Sequence, residues 1–295
     1  MRIFSEKEDL LELSPSWEGD RCPDGRPRVG DDALAALSGT TTEQAWSVLR
    51  DHGYERQFAG GWQETNPGKV ITGRAVTAQF LPQRPDLDAA AVRAGARQGH
   101  LEADRQNSWV IERLAPGDVL VVDIFGKVAE GTVVGDNLGT AVAARTGVGA
   151  VIDGGVRDLQ GLMQLGDINI FMRGVDPTPI RDVSLVGVNV PVRVGTATVL
   201  PGDVVLGTPS GVIFIPPHLA NAVVQASEEI RVRDRFGKLR LAERVYTSAE
   251  IDVPLWSDEI EADFANWRRV SDQQPDGGTK DGGGAAHASS DKAIP

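Results

Sequence analysis

The stretch from Gly135 to Gly174, GDNLGTAVAARTGVGAVIDGGVRDLQGLMQLGDINIFMRG, constrains the fold more than any other part of the chain. Leu138, Ala141 and Val142 recur at i, i+3 and i+4 behind the capping candidates Asp136 and Asn137, and Gly147 supplies a stop. AVID (150 to 153) then reads as a short buried strand, and Gly154-Gly155 as a turn. Leu159, Leu162 and Met163 form a second apolar stripe that ends at Gly166, before the strand INIFMRG. Helix, strand, helix, strand in so short a span reads as an α/β unit.

The flanks extend this reading. Thr42 with Glu43 opens a helix ending near Gly53, VITGRAVTAQFL (70 to 81) alternates as a strand, and 87 to 112 looks helical. Pro116-Gly117-Asp118 is a turn feeding the strand VLVVDIF, and the same punctuation returns at Pro201-Gly202-Asp203. From 183 to 215, short β-branched runs cut by Gly and Pro predict antiparallel hairpins. Pro217 sits at a helix N1, and Leu219, Val223, Ala226 and Ile230 keep one face of a terminal helix apolar. Pro- and Gly-rich residues 14 to 32 read as an irregular lead-in, and 271 to 295 as a disordered tail short of large apolar side chains. The expected organisation is an N-terminal extension (1–32), a main domain (33–245), a C-terminal extension (246–270) and the tail (271–295).

Composition narrows the function. A net charge of −12 disfavours nucleic acid and anionic membranes as partners. Cys22 is the single cysteine, which excludes an intrachain disulfide and a cysteine zinc cluster. The acidic start MRIFSEKEDLLELS lacks the order of a secretory signal, no apolar run is long enough to span a membrane, and a cytoplasmic setting is expected. There is no GxxxxGK[ST] loop, GVGA (147 to 150) precedes a strand instead of joining a strand to a helix, and the four histidines show no ligand spacing.

Two loops carry the candidate chemistry, each at the start of a predicted helix. Gly135-Asp136-Asn137-Leu138 would offer free backbone N–H groups to a carboxylate or phosphate, or Asp136 and Asn137 would merely cap the helix. Asp153-Gly154-Gly155-Val156-Arg157-Asp158 would deliver a planar cationic fork and a hard oxygen suited to Mg2+ or Mn2+. Alternatively, Arg157 is a surface cation beside a capping Asp158.

The block from Gly135 to Asp158, with PGDVLVVD before it and FMRGVDPTP, VPVRVG, VLPGDVV and SGVIFIP after it, resembles the RraA-like family. That family includes metal-dependent 4-hydroxy-4-methyl-2-oxoglutarate aldolases and the regulator of ribonuclease E activity. The resemblance covers about 35 to 240 and implies a swivelling β/β/α domain, assembled as a homotrimer or homohexamer with its site between subunits. It implies that Gly135, Asp136, Asn137 and Leu138 bind a small keto-acid substrate through main-chain amides. Arg157 would hold the keto acid and Asp158 position Mg2+ or Mn2+, both acting as catalytic residues in a retro-aldol cleavage. The alternative on the same fold is a noncatalytic protein-binding regulator of the ribonuclease E inhibitor type. One departure stands out: where the family carries acidic residues before the Gly-Val-x-x-x-Pro strand, this chain has Gly207-Thr208-Pro209-Ser210-Gly211. The insertion at 58 to 69 also exceeds the minimal domain, and Trp62 and Glu64 are candidates to line an altered pocket. A Schiff-base aldolase would need a lysine such as Lys127 or Lys69.

Overall fold

A computed structural model describes residues 1–100 and 105–273, so most of the tail expected at 271 to 295 lies outside the described residues. The strands are β1 (Phe58–Ala59), β2 (Gln63–Glu64), β3 (Ile71–Pro82), β4 (Asp118–Asp123), β5 (Thr132–Val134), β6 (Gly149–Val156), β7 (Asn169–Val175), β8 (Val183–Val188), β9 (Val192–Val194), β10 (Ala197–Val199), β11 (Val204–Thr208) and β12 (Gly211–Ile215). Ten of them form one sheet in the order β1-β12-β11-β3-β4-β6-β7-β2, with β5 paired to β6 and β8 to β3. Its centre, β3 through β7, is parallel, and the flanking pairs are antiparallel. β9 and β10 form a separate hairpin. The α/β centre and the hairpins of 183 to 215 both follow the sequence reading.

β4 and β6 are buried along their whole length. That is the condition of parallel strands covered on both faces. Leu120, Val122 and Ile152 join a core with Trp109, Val142 and Leu162, while Val119, Val121 and Val151 pack on the other face against Phe171 and the β9–β10 hairpin. Alternate residues serve opposite cores because side chains alternate across a strand.

The helices are α1 (Lys7–Leu13), α2 (Asp31–Leu37), α3 (Thr42–Asp51), α4 (Pro85–Arg97), α5 (Gln106–Ile111), α6 (Asp136–Thr146), α7 (Leu159–Met163), α8 (Ala220–Ala242), α9 (Ser248–Ile251) and α10 (Asp258–Gln273). α3 is opened by Thr41, one residue before the expected position, through a capping box with Gln44. The helix expected over 87 to 112 is two, α4 and α5; the chain leaves α4 after Arg97, and Gly99 adopts φ +91°. Pro217 opens a single 3-10 turn, Pro217–Leu219, ahead of α8.

Residues 14 to 30 are irregular, as read, but the N-terminal segment as a whole is packed and Val29 and Arg26 belong to the buried interior. Ile3, Phe4, Leu10 and Val29 are buried, and Ser5 N–H and Val188 N–H exchange backbone hydrogen bonds with Val188 and Ile3 along β8. Arg26 reaches Asp118 with two donors, Nη1 to Oδ1 at 2.9 Å and Nη2 to Oδ2 at 3.1 Å. At the other end, the chain divides into units Met1–Ile230 and Arg231–Pro295, so the boundary falls inside α8 and not at 245. The reason is local: Val232 and Phe236 pack with Trp256, Ile260, Phe264 and Trp267 in a small core of the second unit. No helix among the described residues is long and apolar enough to cross a membrane.

Candidate functional site around Gly135

β5 runs parallel to β6, with Val134 opposite Val156, so the segments following both strands leave the sheet at the same end. Arg157 N–H donates to Val134 O at 3.0 Å and ties the exits together. One exit is Gly135 and the start of α6; the other is Arg157, Asp158 and the start of α7. The two predicted loops therefore become one site.

A side chain at 135 would displace the two charged side chains beside it. A Cβ there would lie 2.5 Å from Asp158 Oδ2 and 3.1 Å from both Cγ and Nε of Arg157. The helices behind are equally close, since a Cβ at Gly139 would meet Leu162 Cδ2 at 2.3 Å and one at Gly161 would meet Asp136 Cβ at 2.7 Å. A small cavity of ≈ 80 Å³ lies against Gly135, Asn137, Leu138 and Arg157. Beside Thr132, Val133 and Pro179, its wall also includes Asn107 and Ile180. Neither carries a local signal that would have placed it there, because each arrives from a distant segment.

The capping readings hold only in part. Gly135 is the N-cap of α6, and Asp136 instead lies in its first turn, with Oδ1 accepting from Asn137 N–H at 2.7 Å. Asp158 precedes α7 with a left-handed backbone (φ +54°, ψ +43°) and makes no capping hydrogen bond with its side chain. Aspartate tolerates that region better than most residues, and Asp182 and Asn189 adopt it too. Arg157 Nε lies 3.5 Å from Asp158 Oδ2, and both side chains remain more than 40% exposed. A charge pair this open keeps donors and lone pairs available to a ligand.

Gly154-Gly155 is not a turn. β6 continues through it to Val156, because the segment 124 to 131 crosses directly over the strand. A Cβ at 154 would meet Ile124 Cγ2 at 2.1 Å, and one at 155 would meet Val128 O at 2.5 Å. Glycine inside a strand commonly marks such an approach.

A divalent cation needs several hard oxygen donors. Among the described residues no three of His, Cys, Asp or Glu come together, so the fold holds no all-protein cage there. Asp158, an exposed carboxylate, would suit Mg2+ or Mn2+ bound mainly through water and substrate oxygens, with the exposed Asp136 at the adjoining start of α6. The hairpin Thr208–Gly211 carries no acid, as its sequence requires. Glu43 on α3 faces Ser210 there, and its own backbone amide with the hydroxyls of Thr41, Thr42 and Ser210 holds its carboxyl below the usual range.

The remaining candidates have structural partners. Lys127 Nζ donates to Arg181 O at 2.6 Å, and Lys69 Nζ lies 3.4 Å from Gly166 O, so neither is placed as a Schiff-base nucleophile in this site. Trp62 donates from Nε1 to Ala59 O and stacks under Arg173, whose guanidinium carbon sits 3.6 Å from the ring centre. Glu64 accepts from Asn169 Nδ2 at 2.9 Å. Both hold the insertion against β7.

Comparison with known proteins agrees with this architecture. The family model RraA-like (Aldolase/RraA) matches residues 30–214, well over half of the chain. A Halalkalibacterium halodurans protein, whose name proposes a 4-hydroxy-4-methyl-2-oxoglutarate aldolase, is 29% identical over 132 residues, 44% of this chain. The chain spans 61% of that relative's length. Among solved structures, Streptomyces coelicolor RraAS2, described as an unusual member of the RNase ES inhibitor RraA protein family, has a TM-score of 0.59 and 26% identity, covering 73% of this chain and 98% of its own. An uncharacterised Pseudomonas syringae pv. tomato protein superposes with TM-score 0.63 at 21% identity, over 79% and 99% of the two chains, and so shares the fold. The family match and the shared sheet together establish that this chain belongs to the RraA-like family.

Proposed function

We propose that the chain is a divalent-metal-dependent carbon-carbon lyase, an aldolase of the class II type, that cleaves a small 4-hydroxy-2-keto acid and releases pyruvate or a related keto acid. The observation that carries this reading is the convergence on Gly135 of a guanidinium, a carboxylate and the start of a helix, so close that a Cβ there would displace both side chains. The aldolase name of the Halalkalibacterium halodurans relative supports the same activity.

In this reading the planar fork of Arg157 engages the substrate's carboxylate and 2-keto oxygen. The amides at the start of α6 other than Asn137 N–H, which Asp136 Oδ1 holds, add donors along the helix dipole. A general base takes the 4-hydroxyl proton, the C3–C4 bond breaks as the new carbonyl forms at C4, and its electron pair moves onto the 2-oxygen as an enolate. Protonation at C3 then releases the keto acid. Arg157 contributes most as negative charge develops on that oxygen. Mg2+ or Mn2+, held through Asp158, would supply Lewis-acid stabilisation of the same charge. The half-open Arg157–Asp158 pair suits a site completed by a second copy, hence a homotrimer or homohexamer. A single cysteine and acidic charge suit a cytoplasmic setting without nucleic-acid or membrane partners.

The similarity to Streptomyces coelicolor RraAS2 favours a second reading, a noncatalytic protein-binding regulator of ribonuclease E type enzymes. The two separate in one assay. Pyruvate release from a panel of 4-hydroxy-2-keto acids should be abolished by EDTA and restored by Mg2+ or Mn2+. Full activity in EDTA contradicts the metal role, and inactivity on every substrate together with inhibition of a ribonuclease E type enzyme selects the regulator.

A further inference from the structure

The two Pro-Gly-Asp turns are built alike. Gly117 and Gly202 take φ +79° and +88°. Asp118 Oδ2 accepts from Ala115 N–H at 2.9 Å, and Asp203 Oδ2 from Leu200 N–H at 2.8 Å. Both aspartates are buried, at 2% and 3% exposure. They differ in charge compensation. Asp118 is neutralised by the Arg26 fork, whereas Asp203 has no cationic partner, and no further hydrogen bond reaches its side chain among the described residues. Burial accordingly pushes the Asp203 carboxyl up to about 7. Bracing the turn needs one acceptor oxygen, which an uncharged asparagine would also provide. The turn does not explain the charge.

Asp203 is also a cavity-wall residue. It lines a cavity of ≈ 400 Å³ whose walls include Trp17, Tyr54, Leu200, Pro216 and His218. That volume is in the range of small-molecule sites, where an apolar lining holds the body of a ligand and one polar group orients it. His218 is held below its usual range by burial and by neighbouring His52, so it is neutral at pH 8 and does not serve as an internal counter-ion. None of these residues borders the site around Gly135.

We infer that this cavity binds a small organic cation, a primary ammonium on a compact apolar or aromatic body, with the Asp203 carboxylate as its counter-charge. The ammonium would take the place at Asp203 that the Arg26 guanidinium takes at Asp118, and the aromatic and proline faces would cover the apolar part. A neutral analogue would keep the apolar contact and lose the charge-assisted hydrogen bond.

Calorimetric titration of the full chain at pH 8 with benzylamine, benzyl alcohol and benzoate tests this. Benzylamine should bind about 10-fold or more tightly than benzyl alcohol, the margin typical of a hydrogen bond to a charged group, with benzoate weakest. Asp203→Asn, which retains an acceptor for Leu200 N–H, should remove the preference for benzylamine and leave benzyl alcohol unaffected. A second measurement needs no variant: Asp203, His218 and Tyr54 are the titratable groups facing the cavity, and at pH 5.5 protonation of Asp203 should collapse the preference in the unmodified chain. Equal affinity for amine and alcohol at pH 8, no binding of either, or a preference that survives both Asp203→Asn and pH 5.5 would overturn the proposal. Pyruvate release is not the readout, so the outcome is independent of the lyase reading.

Discussion

The charges around Gly135 and those of the two Pro-Gly-Asp turns contrast in almost every respect. Arg157 and Asp158 are half exposed, 3.5 Å apart, and depend on a left-handed backbone at Asp158. Arg26 and Asp118 are buried and bidentate across 92 residues of sequence, and Asp203 is buried with no cation. The first arrangement leaves hydrogen-bonding capacity open to a ligand; the second spends it on holding segments together, except at Asp203. Other pairs, such as Arg2–Glu6 and Arg84–Asp86, are at least as exposed as Arg157–Asp158, so what marks the latter as a candidate is its place beside Gly135 and the start of α6.

The largest expected effect of breaking this contrast is at Arg26. Arg26→Ala strands Asp118 as a buried unpaired carboxylate, which typically costs about 3 to 5 kcal/mol. Denaturant unfolding should show that loss, whereas Arg157→Ala should change stability by less than about 1 kcal/mol, as exposed ion pairs usually do. Equal losses would remove the distinction between the two regions.

Asp203 gives the next effect, with a sign opposite to the usual carboxylate. The unfolded chain releases this proton near 3.8, and the folded chain holds it to about 7. Between those values the folded state binds more protons, so this group's contribution to stability falls as pH rises through the window and levels off above about 7. Asp203→Asn should therefore match the unmodified chain near pH 4 and exceed it by a few kcal/mol at pH 8. Parallel stability curves for the two proteins would show that Asp203 carries no such penalty.

Gly135→Ala sharpens the contrast at the open site. Its Cβ would contact Asp158 Oδ2 and the Arg157 side chain, so both must shift, while glycine and alanine differ as helix N-caps by only about 1 kcal/mol or less. Activity should fall 10-fold or more with a thermal midpoint displaced by only a few degrees. Wild-type turnover would mean that the packing on Gly135 does not position the two side chains.

The α6–β6–α7–β7 unit was legible because its periods switch cleanly between helix and strand and Gly147 adopts the left-handed conformation of a helix stop at φ +64°. Gly154-Gly155 misled because glycine marks a turn and a close approach equally well, and what approaches, residues 124 to 131, is fixed only by tertiary packing. The role of 14 to 32 was hidden for a similar reason: nothing near Arg26 in sequence announces a partner at Asp118. Around the candidate site, Gly135, Arg157 and Asp158 could be read from motif and resemblance. The backbone of Asp158 and the wall residues Asn107 and Ile180 could not, since they depend on segments meeting in space.

Metal-dependent turnover in Arg157→Lys and Asp158→Asn, measured as pyruvate release across a Mg2+ titration with oligomer size checked in parallel, addresses the proposed roles most directly. Arg157→Lys keeps one charge and loses the fork, so the metal concentration for half-maximal rate should stay near that of the unmodified chain while maximal turnover falls about 10²-fold. Asp158→Asn weakens a hard-cation ligand, so the half-maximal Mg2+ concentration should rise about 10-fold or more, with turnover partly restored at high metal. If both variants, correctly assembled, show the unmodified chain's metal dependence and turnover, Arg157 and Asp158 are not the site of the reaction.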